Sequence, residues 1–214
     1  LSGGNIFLLL LITAIASLII GMGLPTTATY IVMASLTAPI IVQVGGLFDF
    51  IIPIMAAHLF CFYFGILADD TPPVGLAAYA AAAIAKSSPI PTGIQGFMYD
   101  IRTAILPVMF IFNSDLILHN IFSWPQAILI FVMTCMGNFA FASATQGWFV
   151  AKTRFYEILL LLGATFVLMR PDAIASWVGM PHGQRYWMYL AGLAVFGLVY
   201  LLQRPRIPRV AAPA

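Results

Sequence analysis

Apolar residues run along this chain in long blocks, at about 5–20, 28–44, 50–68, 74–86, 101–122, 127–150, 155–169 and 186–203. A helix needs roughly 20 residues to cross a hydrocarbon core of about 30 Å, and several of these blocks are shorter. Blocks 5–20 and 28–44 are parted only by GMGLPTT at 21–27, and blocks 50–68 and 74–86 only by ADDTPPVG at 68–75. Gly and Pro in both places stop a helix from continuing. A helix broken at membrane depth survives where its freed backbone groups are buried in protein or line a polar cavity. A pair of short, Gly/Pro-interrupted segments is thus a pointer to a transporter binding site. The pattern predicts an all-α integral membrane protein with a re-entrant helical hairpin over 5–44, a discontinuous transmembrane helix over 50–86 and a span over 101–122. Beyond these it predicts additional transmembrane helices over 123–203 and a tail at 204–214. The alternative is that both breaks are plain loops between full spans. Against it, 74–86 offers only a short run before Lys86.

Composition fixes the solvent. The chain is 62% hydrophobic and 7% charged, against about 25% charged in a typical soluble domain, and residues 1 to 48 contain no Asp, Glu, Lys or Arg. The lipid bilayer is therefore its partner. A net charge of +2 with scattered arginines excludes the dense basic face of a nucleic-acid-binding protein. Cys61 and Cys135 lie apart inside apolar runs, so they suggest neither a disulfide framework nor a zinc site. The chain opens on Leu1, and its first apolar block lacks a basic n-region and a small-residue cleavage site, so it is expected to be the C-terminal part of a longer protein.

The basic residues give an orientation. With 5–44 as a hairpin, 50–86 as one interrupted span and four single spans after it, Lys86, Arg102, Lys152, Arg154, Arg204, Arg206 and Arg209 fall on one face. Arg170 and Arg185 fall on the other. Positive charge marks the inside, so the C-terminus is expected to be cytoplasmic and the hairpin to enter from outside. Trp124, Trp148, Trp177, Trp187 and Tyr156 fall near segment ends, where amphipathic rings favour the headgroup layer.

The two breaks carry the candidate chemistry. In GMGLPTT, Gly21 and Gly23 can take positive φ, Pro25 can start a helix, and Thr26 and Thr27 supply hydroxyls. Such a tip brings the carbonyls of one helix C-terminus and the amides of one helix N-terminus into one volume. The oxygens suit Na⁺ and the amides suit a carboxylate. In ADDTPPVG, Pro72 and Pro73 remove amide donors and release carbonyls a turn earlier, beside Thr71 and Gly75. Asp69 and Asp70 would be costly in a membrane, and they read equally as ion ligands or as solvated, helix-capping groups. His58 reads as a packed histidine before it reads as a proton relay. Asp100 and Arg102 read as markers of the cytoplasmic end of the span 101–122. Asn113, Ser114 and Asp115 reach an interface or line a cavity. No arginine is expected near either break.

GMGLPTTATYIVMASLTAPIIVQVG followed by FGILADDTPPVGLAAYAAAAIA resembles the second half of the large membrane subunit, the DctM-like permease, of tripartite ATP-independent periplasmic (TRAP) transporters. The nearer likeness is to the fused-permease branch that works with TAXI-type binding proteins, over about residues 5 to 122. Residues 127–203 resemble the extra C-terminal helices of that branch. The resemblance implies half of an inverted-repeat ion-transporter fold in the bacterial inner membrane. It implies sodium-coupled uptake of organic acids such as C4-dicarboxylates or 2-oxoacids, Na⁺ as coupling ion and no other cofactor. The implied partners are a periplasmic solute-binding protein, a small membrane subunit or its fused equivalent, and the missing N-terminal repeat. It places a Na⁺ site on Gly21, Gly23, Thr26, Thr27, Gly65, Thr71 and Pro72, with Asp70 as a further candidate ligand. Thr26, Thr27, Thr71 and Pro73 become candidate substrate contacts. The paired Asp69 and Asp70 depart from the dicarboxylate-type pattern, where these positions tend to be apolar, and bear on ion stoichiometry.

Two other classes compete. An intramembrane aspartyl enzyme would use Asp69, Asp70 or Asp100, but Tyr99-Asp100 is half of such a motif and no Gly-x-Gly-Asp partner exists in the chain. A scaffold or assembly domain fits residues 127–214, which hold Asn138, Gln146 and Glu157 but no facing pair of breaks.

Overall fold

The computed structural model describes residues 5–47, 50–119 and 121–206, so most of the tail at 204–214 lies outside the described residues. Among them every regular element is helical, apart from an isolated antiparallel bridge between Trp148 and Lys152. Thr26–Leu47, Pro89–Phe112, Trp124–Gln146 and Gln184–Arg206 are each long and apolar enough to cross a bilayer. The chain is an all-α integral membrane protein. It divides into two compact units, Leu1–His119 and Asn120–Ala214.

In the first unit, α1 (Ile6–Gly21) begins at Asn5, whose Oδ1 accepts the free amides of Phe7 and Leu8 at 3.0 and 3.2 Å, the ordinary use of Asn as an N-cap. Its 16 residues span only about 24 Å. α2 (Thr26–Leu47) is longer and accommodates Pro39. Both pack on α3 (Ile54–Asp70), the central element, through Leu10, Met33, Ala38 and Ile41 against Ala56, Ala57, Phe60 and Cys61. α3 ends where Thr71 turns extended and Pro72 and Pro73, joined by a cis peptide bond, offer no amides. α4 (Leu76–Ala85) resumes from Gly75 and stops at the left-handed Lys86, φ 53°.

The next stretch of chain departs from the expected span over 101–122. Pro89 and Pro91 do not break a helix but open α5 (Pro89–Asp100), because the first turn needs no amide donors, and α5 packs back along α4. After a turn at 101–104 comes α6 (Ile105–Phe112). The apolar stretch therefore runs from Pro89 to Phe112. It stops there because Asn113 turns extended (φ −141°) and its Oδ1 accepts the amide of Asp115 at 3.2 Å, a local bond that competes with the helix. A short 3₁₀ turn, Ser114–Ile117, comes after it. Asp100 and Arg102 are thus not at the end of a span but at a turn in its middle, at the opposite end of α5 from Lys86. An apolar groove of about 350 Å³ lies beside this turn, lined by Leu10, Leu11 and Ala14 from α1, Phe60 from α3, and Phe97 and Val108.

In the second unit, α7 (Trp124–Gln146) and α10 (Met188–Gln203) both pack on α8 (Phe155–Met169) around Ala140, Ala144, Leu161 and Val199. Small residues allow close helix approach in membranes. A carbon added at Gly192 would lie 2.8 Å from Leu168, and Thr165 donates across the α7–α8 contact to the Gly137 carbonyl at 3.2 Å. After Arg170, α9 (Pro171–Trp177) leaves α8 at 95°.

Candidate ion and substrate site

The two breaks that the sequence singles out face each other. The α1–α2 tip crosses the C-terminal end of α3 with no room to spare: a carbon added at Gly21 would lie 2.4 Å from Ala68 Cβ. The reversal needs Gly23, which sits at φ 89° and lies beside Val74 of the break, 3.5 Å from where its own Cβ would be. A β-carbon is disfavoured at that φ. Pro25 then leads into α2, and its carbonyl accepts the Thr29 amide at 3.1 Å. The side chain of Thr26 donates directly to Asp69 Oδ2, tying the start of α2 to the end of α3. The first amides of α2 have no partners within the helix and carry partial positive charge. A carboxylate there is well placed electrostatically.

Neighbours in sequence, Asp69 and Asp70 have different partners. Asp69 meets Thr26, whereas Asp70 meets the carboxyl group of Asp100 at the end of α5. α5 passes so close that a carbon added at Gly96 would lie 3.8 Å from Asp70 Cγ. Both aspartates of α3 are half-buried. Two carboxyl groups in contact repel when both are ionised, and a bound cation or a proton relieves that repulsion.

Gly21, Gly23 and Thr26, of the predicted site residues, come together with Asp69 and the break. Thr27 is exposed at the tip. Gly65 is buried a turn further down α3 and faces Thr29, 3.4 Å from its added carbon. The Thr71 hydroxyl donates to the Leu67 carbonyl at 2.7 Å, which uses its proton and leaves its lone pairs as acceptors. Pro72 turns toward α5 beside Gly93, and the Pro73 carbonyl accepts from Tyr79 Oη at 3.3 Å. His58 pairs with Tyr30 Oη through Nδ1 at 3.0 Å, bridging α3 to α2 below the tip. Asn113 and Asp115 follow the end of α6, where Phe112 stacks on Phe7 of α1 and lies against Phe50, ahead of α3. Among the described residues no three His, Cys, Asp or Glu side chains form a metal-holding group, so a cation at the breaks would need carbonyl and hydroxyl oxygens beside any carboxylate.

Asp100 is the functional candidate that block lengths alone assign to a span end, and Arg102 comes with it. Arg102 stacks over the Tyr99 ring at 5.0 Å, two residues along the chain from Asp100. The signal in the sequence is the pair Pro89 and Pro91, whose spacing suits a helix start and moves the beginning of the span from 101 back to Pro89.

A helix interrupted at a Gly/Pro break and met by a Gly/Pro/Thr tip is the kind of backbone on which membrane transport proteins build binding sites, and the family match agrees with that class. Residues 1–126 match the family model of the tripartite ATP-independent periplasmic transporter, DctM component, and the chain belongs to that family. It is a permease component of a TRAP secondary transporter, a family that works in general with a periplasmic binding protein and a small membrane subunit. Residues 127–183 match a second model, described only as a domain of unknown function, DUF3394. No curated protein and no solved structure matches the chain.

Proposed function

We propose that this permease couples binding-protein-dependent uptake of an organic acid to a Na⁺ gradient, and that the coupling ion binds at the break after α3, between the α1–α2 tip and the end of α5. The observation that carries this reading is the direct bond from Thr26 to Asp69 across the two breaks, with Gly21 seated on Ala68. Cation ligands would come from Asp70, Asp100, the Thr71 hydroxyl and the carbonyls freed by Pro72 and Pro73. The carboxylate of a C4-dicarboxylate or 2-oxoacid would meet the amide-rich start of α2 at Thr26 and Thr27. α1 is too short to cross alone, which supports a re-entrant first leg, while α2 is long enough to cross.

Orientation rests on the basic residues. With Arg102 moved to mid-span, Lys86, Lys152, Arg154, Arg204, Arg206 and Arg209 remain on one face and Arg170 and Arg185 on the other. By the positive-inside rule the C-terminus is cytoplasmic in a bacterial inner membrane.

The test is uptake by the complete transporter in proteoliposomes, with its binding protein outside. Uptake is expected to track an inward Na⁺ gradient and to stall when K⁺ replaces Na⁺. Equal uptake in both salts would remove sodium as the coupling ion.

A further inference from the structure

At one end of the second unit, the segment between α7 and α8 is fastened to the end of α10 by a buried polar cluster. Gln203 is fully buried; its Oε1 accepts the amides of Val150 and Ala151 at 3.1 and 3.0 Å, and its Nε2 donates to Glu157 Oε2 at 2.8 Å. The Glu157 side chain, also fully buried, accepts the Arg154 amide at 2.9 Å and is paired with Arg206. Arg206 in turn donates to the Lys152 carbonyl at 3.2 Å. Every member of this cluster has a partner, so its role is to hold three elements together.

The consequence is a concentration of charge outside it. The cluster gathers the backbone of Lys152, Arg154, Arg204 and Arg206 into one patch. Glu157 is already committed to Arg206, so it leaves Lys152, Arg154 and Arg204 exposed and uncompensated by any acidic side chain in the cluster. Trp148, Phe155 and Tyr156 stand exposed at the same end, 53%, 77% and 45%. Aromatic rings of this kind sit at the headgroup level of a bilayer, which puts the three cations at the depth of lipid phosphates.

We propose that this patch is a binding site for the phosphate headgroup of an anionic phospholipid, with Lys152, Arg154 and Arg204 as its cations and Trp148, Phe155 and Tyr156 as its apolar rim. A basic residue near an anionic membrane surface contributes about 1 kcal/mol, roughly fivefold in affinity, so the three together contribute on the order of a hundredfold.

The experiment uses the full chain in neutral detergent, with phosphatidylglycerol, phosphatidylcholine or inorganic phosphate added. It reads retained lipid by native mass spectrometry and the midpoint of thermal unfolding. Phosphatidylglycerol is expected to be retained and to raise the midpoint, while phosphatidylcholine and inorganic phosphate do neither. K152Q/R154Q/R204Q should lose the retention on the order of a hundredfold, and each single variant should lose part of it. K86Q, a cation in the first unit, should retain lipid as the parent does. Equal retention of the two lipids, full retention by the triple variant, or a midpoint raised as much by inorganic phosphate would each overturn the assignment.

Discussion

The three carboxylates with the most consequence, Asp69, Asp70 and Glu157, owe their roles to what each side chain touches. Glu157 is fully buried and answers to Arg206, Gln203 and the Arg154 amide. Removing Glu157 leaves the Gln203 Nε2 donor and the Arg154 amide without their acceptor, at about 1–3 kcal/mol for each group left unsatisfied, while the part-exposed Arg206 can turn to water. Glu157→Ala should therefore lower the thermal stability of the second unit sharply. Gln203→Ala strands the amides of Val150 and Ala151 and should cost about 1–3 kcal/mol. Both are read from unfolding midpoints in detergent, and an unchanged midpoint for Glu157→Ala would show that the cluster does not fasten the unit. At the tip, the effect is steric. Gly21→Ala places a carbon against Ala68 and should slow uptake, by an overpacking cost of about 1–3 kcal/mol; Ala68→Gly in the same chain should restore it.

Among the elements, the α1–α2 tip docks on the end of α3, and the proposed transport cycle requires that contact to open. Thr26→Cys with Asp69→Cys should crosslink on oxidation and stop the residual uptake of the double variant, and a reductant should restore that residual uptake. Free uptake after complete crosslinking would mean that the two elements never need to part. Both breaks are legible in the sequence because Gly and Pro leave a mark that no packing can hide: GMGLPTT and ADDTPPVG stand where α1 gives way to α2 and α3 to α4. The span after them begins and ends earlier than the apolar blocks suggest. Pro89 and Pro91 resemble a break when read for what they forbid, yet in the first turn of α5 they forbid nothing. Asn113 ends α6 through one side-chain bond, and that choice depends on a local competition that apolar block lengths do not record. The partners of Asp69 and Asp70 are illegible for another reason: Thr26 and Asp100 are distant in sequence, and only the packing of α2 and α5 on α3 selects them.

For the whole molecule, the family match covers the unit that holds both breaks, while the second unit matches a model with no assigned role and contributes three packed helices with a polar fastening at one end. The chain is a transporter component, and in the proposed ion site backbone oxygens, hydroxyls and a few carboxylates stand in for the charged clusters of soluble binding sites. That economy suits a segment whose first 48 residues carry no charged side chain. Ion binding at the breaks is decided by the Na⁺ concentration that half-saturates uptake by the complete transporter in proteoliposomes, compared between the parent and Asp70→Asn and Asp100→Asn. Loss of either carboxylate should raise that concentration about tenfold or more, the weight of one charged interaction of about 1.5–3 kcal/mol, with binding-protein docking unchanged. Parental Na⁺ dependence in both variants would contradict a coupling-ion site at the break after α3.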